Sequence, residues 1–228
     1  MTIYNRIAEE FDQWALNHRA ESMGQGHWDV TIQMLQHLQL HSSDVVLDVG
    51  CGNGWLLREL LRQGCAKGWG VDLSPEMIAQ ANQSIKSISQ ENYVVGNAEN
   101  LDFDDETFSL ITNIESLYYY PEPQKALQEW YRISQKNGSL AIMMDLYEEN
   151  PATHNWVAVL NIPVHVFSKK QLHQWLSECG WRNILMLQIQ DRRPLKKETE
   201  FVSSAYWPSY EQYVQYRETG SLCIIAQK

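Results

Sequence analysis

Apolar positions recur at three- and four-residue steps in two runs near the start of the chain. The first comprises Tyr4, Ile7, Ala8, Phe11 and Trp14, and the second Trp28, Thr31, Met34, Leu35 and Leu38. That spacing lays one stripe along a helix in each case. The polar stretch between them, with Ser22, Gly24 and Gly26, reads as a hinge. Residues 1–42 are therefore expected to form a helical cap ahead of the first strand.

The rhythm then changes. Short β-branched or apolar runs at Val45–Val49, Gly68–Val71, Tyr93–Val95, Phe108–Thr112 and Leu140–Met144 alternate with helical stretches after Gly54, from Pro75, and around Lys125–Ile133. Alternation of this kind means βαβ units and a parallel sheet. Ser74-Pro75 marks a helix start well, because serine accepts from orphan amides while proline's fixed φ suits the first helical position. From Tyr147 to Val166 the chain is loop-rich, with Pro151, His154, Trp156, Pro163 and His165, and is too long for an idle connection. Ser168 and Gln171 form a capping-box pattern, and Gly180 suits the helix end. Strands at Ile184–Ile189 and Leu222–Ala226 enclose a stretch from Arg192 to Gly220 rich in tyrosine and tryptophan. The whole chain, 1–228, is read as one domain: cap 1–42, core 43–145, and a last part 146–228.

A chain of 228 residues that is 44% hydrophobic can bury one substantial core. Its net charge of −10 sets its field against nucleic acid and anionic lipid, so neither is an expected partner. Cys51, Cys65, Cys179 and Cys223 match no zinc spacing, and free thiols and a cytoplasmic location are expected. Arg6, Glu9, Glu10 and Asp12 precede any apolar stretch, unlike a secretory signal, and no run approaches about 18 apolar residues.

Candidate chemistry concentrates where the first strand meets Gly50-Cys51-Gly52-Asn53-Gly54. Glycines there let the backbone turn tightly and let a ligand approach the amides. A nicotinamide-type fingerprint requires a glycine at residue 55, which is Trp55. Asp72 ends the second strand twenty residues past Gly52, where a carboxylate can accept from both hydroxyls of a ribose; it also reads as a plain helix-capping aspartate. After the third strand, Gly96-Asn97-Ala98-Glu99 offers an amide side chain and a backbone NH at the same edge, or an ordinary turn.

With these motifs in order, the chain resembles the class I S-adenosylmethionine-dependent methyltransferases, in particular the small-molecule branch with the ubiquinone and menaquinone enzymes. The resemblance covers roughly residues 44 to 145. It implies a doubly wound, Rossmann-like, mostly parallel seven-stranded sheet whose antiparallel last strand inserts beside Ile184–Ile189. It assigns Asp48, Gly50, Gly52 and Gly54, with Cys51 and Asn53 between them, to the cofactor's methionine part. Asp72 falls to the ribose and Leu73, Asn97 and Ala98 to the adenine, with Glu99 and Asn113 completing the expected contacts. Asn97 departs from the family's usual aspartate. Tyr118, Tyr119 and Tyr120 stand where the family commonly has a histidine pair, so no role carries over from those histidines.

Methyl transfer from a sulfonium is an in-line displacement, and alignment alone is valued at roughly 7 to 11 kcal/mol. An acceptor that must lose a proton also needs a base within hydrogen-bond reach. Glu115, Tyr119 and His27 are the candidates. Each has a structural alternative: aromatic packing for the tyrosine, a helix-start position for the histidine, and a partnered junction carboxylate for the glutamate. The expected acceptor is a small molecule entering beneath the cap and walled by residues Tyr147 to Val166, with the protein a monomer or homodimer and no metal involved. A non-catalytic S-adenosylmethionine-binding protein and a nucleotide-dependent oxidoreductase are the alternatives.

Overall fold

The computed structural model describes residues 2–85 and 90–228. The chain opens with two helices, α1 (Ile3–Leu16) and α2 (Arg19–Leu35). Thr2 caps the first by accepting from Asn5 N, and the break between them falls at His18, in the left-handed region with φ 58°. The expected hinge at Ser22, Gly24 and Gly26 is absent: all three lie inside α2. Gly24 is buried there because a Cβ would come within 3.0 Å of the Trp55 ring, so its small size reflects helix packing rather than a chain break.

The strands are β1 (Val45–Val49), β2 (Lys67–Asp72), β3 (Glu91–Val95), β4 (Phe108–Ile114), β5 (Ser134–Met144), β6 (Arg182–Ile189) and β7 (Ser221–Gln227). They form one sheet in the order β3-β2-β1-β4-β5-β7-β6. The first five run parallel, and β7 inserts antiparallel between β5 and β6. This is the doubly wound arrangement the sequence predicts, including the inserted last strand.

Both faces are covered. One packs Leu47, Ile111, Ile142 and Ile224 against α5 (Pro123–Ile133) and α7 (Lys169–Cys179) through Leu127, Trp130, Leu172 and Leu176. The other packs Val46, Leu110, Met143 and Cys223 against α2, α3 (Trp55–Arg62) and α4 (Pro75–Gln83). With both faces buried, the central strands read as continuous apolar runs rather than alternating ones. Ser74 and Ser168 cap α4 and α7 as their positions predict, accepting from Met77 N and Gln171 N, and Gly180 ends α7 at φ 105°.

Within 147–166 only a short 3-10 turn and α6 (Trp156–Val159) are regular. The aromatic stretch holds a helix that periodicity does not reveal, α8 (Tyr210–Thr219), capped by Ser209. Tyr216 packs on Trp156 and Trp207 and reaches Asp145, while Tyr210 and Tyr213 pack on Phe201, which erases the one-sided stripe. Trp207 and Tyr216 meet at 4.4 Å between centroids, and Trp156 packs edge-on to Tyr206 and Trp207. All four cysteines are unpaired. Among the described residues no helix is long and apolar enough to cross a membrane.

Candidate functional site

The order of strands reverses between β1 and β4, and in open α/β sheets ligands bind outside the carboxyl ends of the strands at such a point. A cavity lies there, holding about 1010 Å³ of space counted out to its mouth. Its floor is the glycine turn after β1. Gly50 N and Cys51 N both donate to Val71 O, at 2.7 and 3.1 Å, which pulls the turn against the end of β2. Gly50, Gly52 and Gly54 take φ of 71°, 51° and 78°, in the left-handed region open chiefly to glycine. A Cβ on Gly50 would sit 2.2 Å from Ser116 Oγ, whereas one on Gly52 would find nothing nearer than 3.9 Å, leaving space beside the turn on the cavity side.

Asp72 stands beside this floor. Its carboxylate accepts from Gly52 N and Ser74 N, both at 2.9 Å, so the acid binds turn and helix start together. Burial raises its pKa above the ordinary carboxylate value, while the amide hydrogen bonds pull the other way. Leu73, Asn97, Ala98 and Glu99 continue the wall. Asn97 Oδ1 accepts from Glu99 N at 3.0 Å, the turn-forming role of an asparagine. Glu99 accepts from Tyr4 in α1 at 2.6 Å and from Glu122 N at 2.8 Å, tying the cap to the sheet edge. Asn53 also lines the cavity, and its buried Oδ1 has no partner among the described residues.

Three expected cofactor contacts lie behind this wall. Asp48 is 2% exposed and accepts from Thr112 Oγ1 at 2.8 Å. Gly54 caps α3 and its carbonyl accepts from Tyr93 Oη. Asn113 is fully buried: its Nδ2 donates to Val49 O, with Ser116 Oγ and Tyr120 Oη also within hydrogen-bond distance, and its Oδ1 accepts from Leu117 N. Its side chain is consumed in fastening β4 to β1, and Ser116 and Tyr120 line the cavity in its place.

The roof is the cap: Ile7, Phe11 and Trp14 from α1, and Ala20, Met23, Gly24 and His27 from α2. No residue between 147 and 166 lines the cavity, which corrects the expected acceptor wall. That segment instead packs under the aromatic stretch, with Asn155 and Trp156 donating to Tyr206 O.

The candidates for proton transfer converge at one side. His27 lies in the middle of α2, not at a helix start, and its Nδ1 is 3.5 Å from Asp145 Oδ2. Glu115 follows β4 with φ 55°, a conformation rarely adopted outside glycine, and accepts from Asp145 N at 2.5 Å and Tyr118 Oη at 2.7 Å. Burial and the neighbouring Asp145 push its carboxyl well above the usual range. Tyr119 lines the cavity edge-on to Phe11, its phenol raised by burial. Sequence reading misses Asp145, although the signal that singles out Asp72, an acid just past a buried strand, marks it equally.

A model of the methyltransferase domain matches residues 47–142. Sterol 24-C-methyltransferase of Saccharomyces cerevisiae is 30% identical over 126 residues, covering 52% of this chain and 33% of that protein. Demethylmenaquinone methyltransferase of Lactobacillus johnsonii is 25% identical over 154 residues, covering 65% and 62%. The chain spans about a third to a half of the length of the first curated relatives it matches. Among solved structures, a chain from the complex with the Haloferax volcanii Trm112 methyltransferase activator superposes with a TM-score of 0.88 at 28% identity, covering 95% of this chain and 96% of that one. The S-adenosylmethionine-dependent methyltransferase from Mesorhizobium loti shares the fold, with a TM-score of 0.68 at 16% identity over 89% of this chain and 97% of that one. The glycine turn, the acid after β2, the inserted β7 and these likenesses together support a class I S-adenosylmethionine-dependent methyltransferase.

Proposed function

We propose that the protein transfers a methyl group from S-adenosylmethionine to a small-molecule acceptor held beneath the α1–α2 cap. The observation that carries this reading is the cavity at the switch point, which joins the uncrowded glycine turn at Gly52, the carboxylate of Asp72 and an apolar roof in one enclosure. These residues fit the cofactor. Asp72 suits ribose hydroxyls, Leu73 and Ala98 suit the flat face of adenine, and the unpartnered Oδ1 of Asn53 suits the donor end of the methionine part. When bound, the cofactor supplies an electrophilic methyl on a positively charged sulfur. What the chain adds is alignment and exclusion of water. The apolar roof of Ile7, Phe11, Trp14 and Met23 favours an acceptor with substantial apolar surface over a highly charged one.

A second reading concerns partners. The likeness to a chain solved with the Trm112 activator supports a protein partner for this chain as well. Size-exclusion chromatography with light scattering after co-expression with such an activator tests it, a stoichiometric complex being the supporting result.

The principal test is calorimetry with S-adenosylmethionine, S-adenosylhomocysteine and NADH. The first two are expected to bind at micromolar affinity, NADH not at all. Asp72→Ala should lose ten-fold or more in affinity for both. Binding of NADH alone would replace this reading with an oxidoreductase, and cofactor binding without turnover over a broad acceptor panel would favour a sensing role.

A further inference from the structure

We infer that His27 and Asp145 form a proton-accepting pair, and that the acceptor is therefore one whose nucleophilic oxygen or nitrogen carries a proton. The inference rests on the methyltransferase reading of the cavity and assigns the class of its second substrate.

The geometry sets the two ring nitrogens of His27 apart. Nδ1 faces Asp145 Oδ2 at 3.5 Å, a polar contact slightly too long for a formed hydrogen bond. Catalytic contacts of this kind tighten in the substrate complex. Nε2 has no hydrogen-bond partner among the described residues, and the ring lines the cavity with its side chain 12% exposed. A histidine whose Nδ1–H points at a carboxylate presents the Nε2 lone pair, the acceptor form of the ring.

Asp145 is fully buried and held from several sides. Tyr216 Oη donates to its Oδ2 at 2.6 Å, Ser221 Oγ donates to Oδ1, and its backbone carbonyl accepts from Asn150 Nδ2 and Thr153 Oγ1. His27, Glu115 and Asp145 bring one nitrogen and two carboxylate oxygens within 4.8 Å of one another. All four carboxylate oxygens of Glu115 and Asp145 already accept from protein donors, so the cluster is a fixed hydrogen-bonded network around one free ring nitrogen. The helix that carries His27 is held as well: Arg193 donates to Gln25 O and Gly26 O, and Arg192 grips Asp29. The charged groups facing His27 are Asp145 after β5, Glu115 after β4, and Asp191 and Arg193 in the segment after β6. Burial lowers the pKa of His27, with Arg193 acting the same way and the two aspartates opposing, so the ring is neutral near pH 7.

In the step this arrangement serves, the acceptor's oxygen or nitrogen forms the bond to the methyl carbon with its lone pair, and the carbon–sulfur bonding pair leaves with sulfur. The acceptor's proton moves to Nε2 of His27. The resulting imidazolium faces the carboxylate of Asp145, and the proton passes to solvent when product leaves. Asp145 touches neither substrate and acts as a positioning residue. An acceptor without a proton on its nucleophile, such as a dialkyl sulfide or a pyridine, has no use for the pair.

The test combines calorimetry, nitrogen-15 histidine spectra and turnover for the wild type, His27→Gln, Asp145→Asn and Tyr216→Phe. S-adenosylhomocysteine is expected to bind wild type and His27→Gln within about two-fold of each other; failure to bind wild type would sink the underlying methyltransferase reading instead. The spectra should show His27, assigned by its loss in His27→Gln, protonated at Nδ1 with a pKa under 6.5. That pKa should fall further in Asp145→Asn and rise in Tyr216→Phe, which strips a donor from Asp145. Should Asp145→Asn not fold, Tyr216→Phe alone carries this arm. An Nε2-protonated ring, or a pKa indifferent to every folded variant, overturns the pair. With a panel of phenols, anilines, alkylamines, pyridines and dialkyl sulfides, methylation is expected only on O–H or N–H members, with kcat reduced 100-fold or more in His27→Gln. Methylation of the proton-free members only, of none, or at an unchanged rate in His27→Gln overturns the acceptor class.

Discussion

Asp48 lies beneath the glycine turn with one hydrogen bond, from Thr112, and with Asp72 as its charged neighbour. Burial, the larger effect, and Asp72 together raise its pKa from 3.8 to about 7. Below pH 3.8 the folded and unfolded chains both hold this proton. As pH rises towards 7 the unfolded chain releases it while the folded chain keeps it, so stability is lost across that window and levels off above it. The gap corresponds to on the order of 4 kcal/mol. Asp48→Asn keeps the shape and an acceptor for Thr112 without the charge. Urea denaturation should therefore show the variant gaining on wild type from pH 4 to 7 and holding a constant lead at pH 8; parallel profiles would contradict the raised pKa. At this scale the sequence is most legible where backbone chemistry is restrictive. Gly50 and Gly52 have to be glycine for conformational reasons that spacing exposes. Asn113 is polar and ends a strand, yet only its four partners show that it faces inward, and Asp145 carries the same strand-end signal as Asp72 without a motif around it.

Helix α2 shows how one residue type carries opposite meanings within an element. Gly24 and Gly26 both read as breakers in the sequence, and both are helical. Gly24 is there because Trp55 leaves no room, while a Cβ on Gly26 would meet nothing within 4 Å. Replacing an exposed helical glycine by alanine gains about 1 kcal/mol. For a chain of this length that is about 2–4 °C in Tm. Gly26→Ala should show that rise by calorimetric scanning. Gly24→Ala should forgo it or fall below wild type, because the Trp55 ring would have to move by tenths of an ångström; equal gains at both sites would mean that Trp55 does not constrain the helix. The remaining element-level difference, α8, has a related cause. Its tyrosines pack on two sides, so no stripe marks it, whereas α4 and α7 announce themselves through capping serines.

At the scale of the whole molecule, the parallel core was readable because strands buried on both faces leave apolar runs separated by helix-length spacers. The cap's place over the cavity was expected in outline, but the ties that fix it there were not legible, because they are long-range: Tyr4 to Glu99, Ser74 to Asp12, Arg192 to Asp29 and Gln80 to Ala15 O. Those ties make the cavity a joint product of the cap, the glycine turn and the ends of the strands. A ligand that binds the assembled cavity and not the unfolded chain stabilises the fold by RT ln(1 + [L]/Kd), about 2.7 kcal/mol at a hundred-fold excess over Kd. That predicts a rise in Tm of about 5–11 °C with S-adenosylhomocysteine at that excess, measured by scanning calorimetry at fixed protein concentration. Asp72→Ala should abolish most of the rise at the same ligand concentration. Tyr4→Phe should retain part of it, because it removes the tie between the cap and Glu99 in the cavity wall without touching the floor of the cavity. If Tyr4→Phe responds as wild type does, the cap closes independently of that tie, and the roof of Ile7, Phe11 and Trp14 is held in place by its own packing.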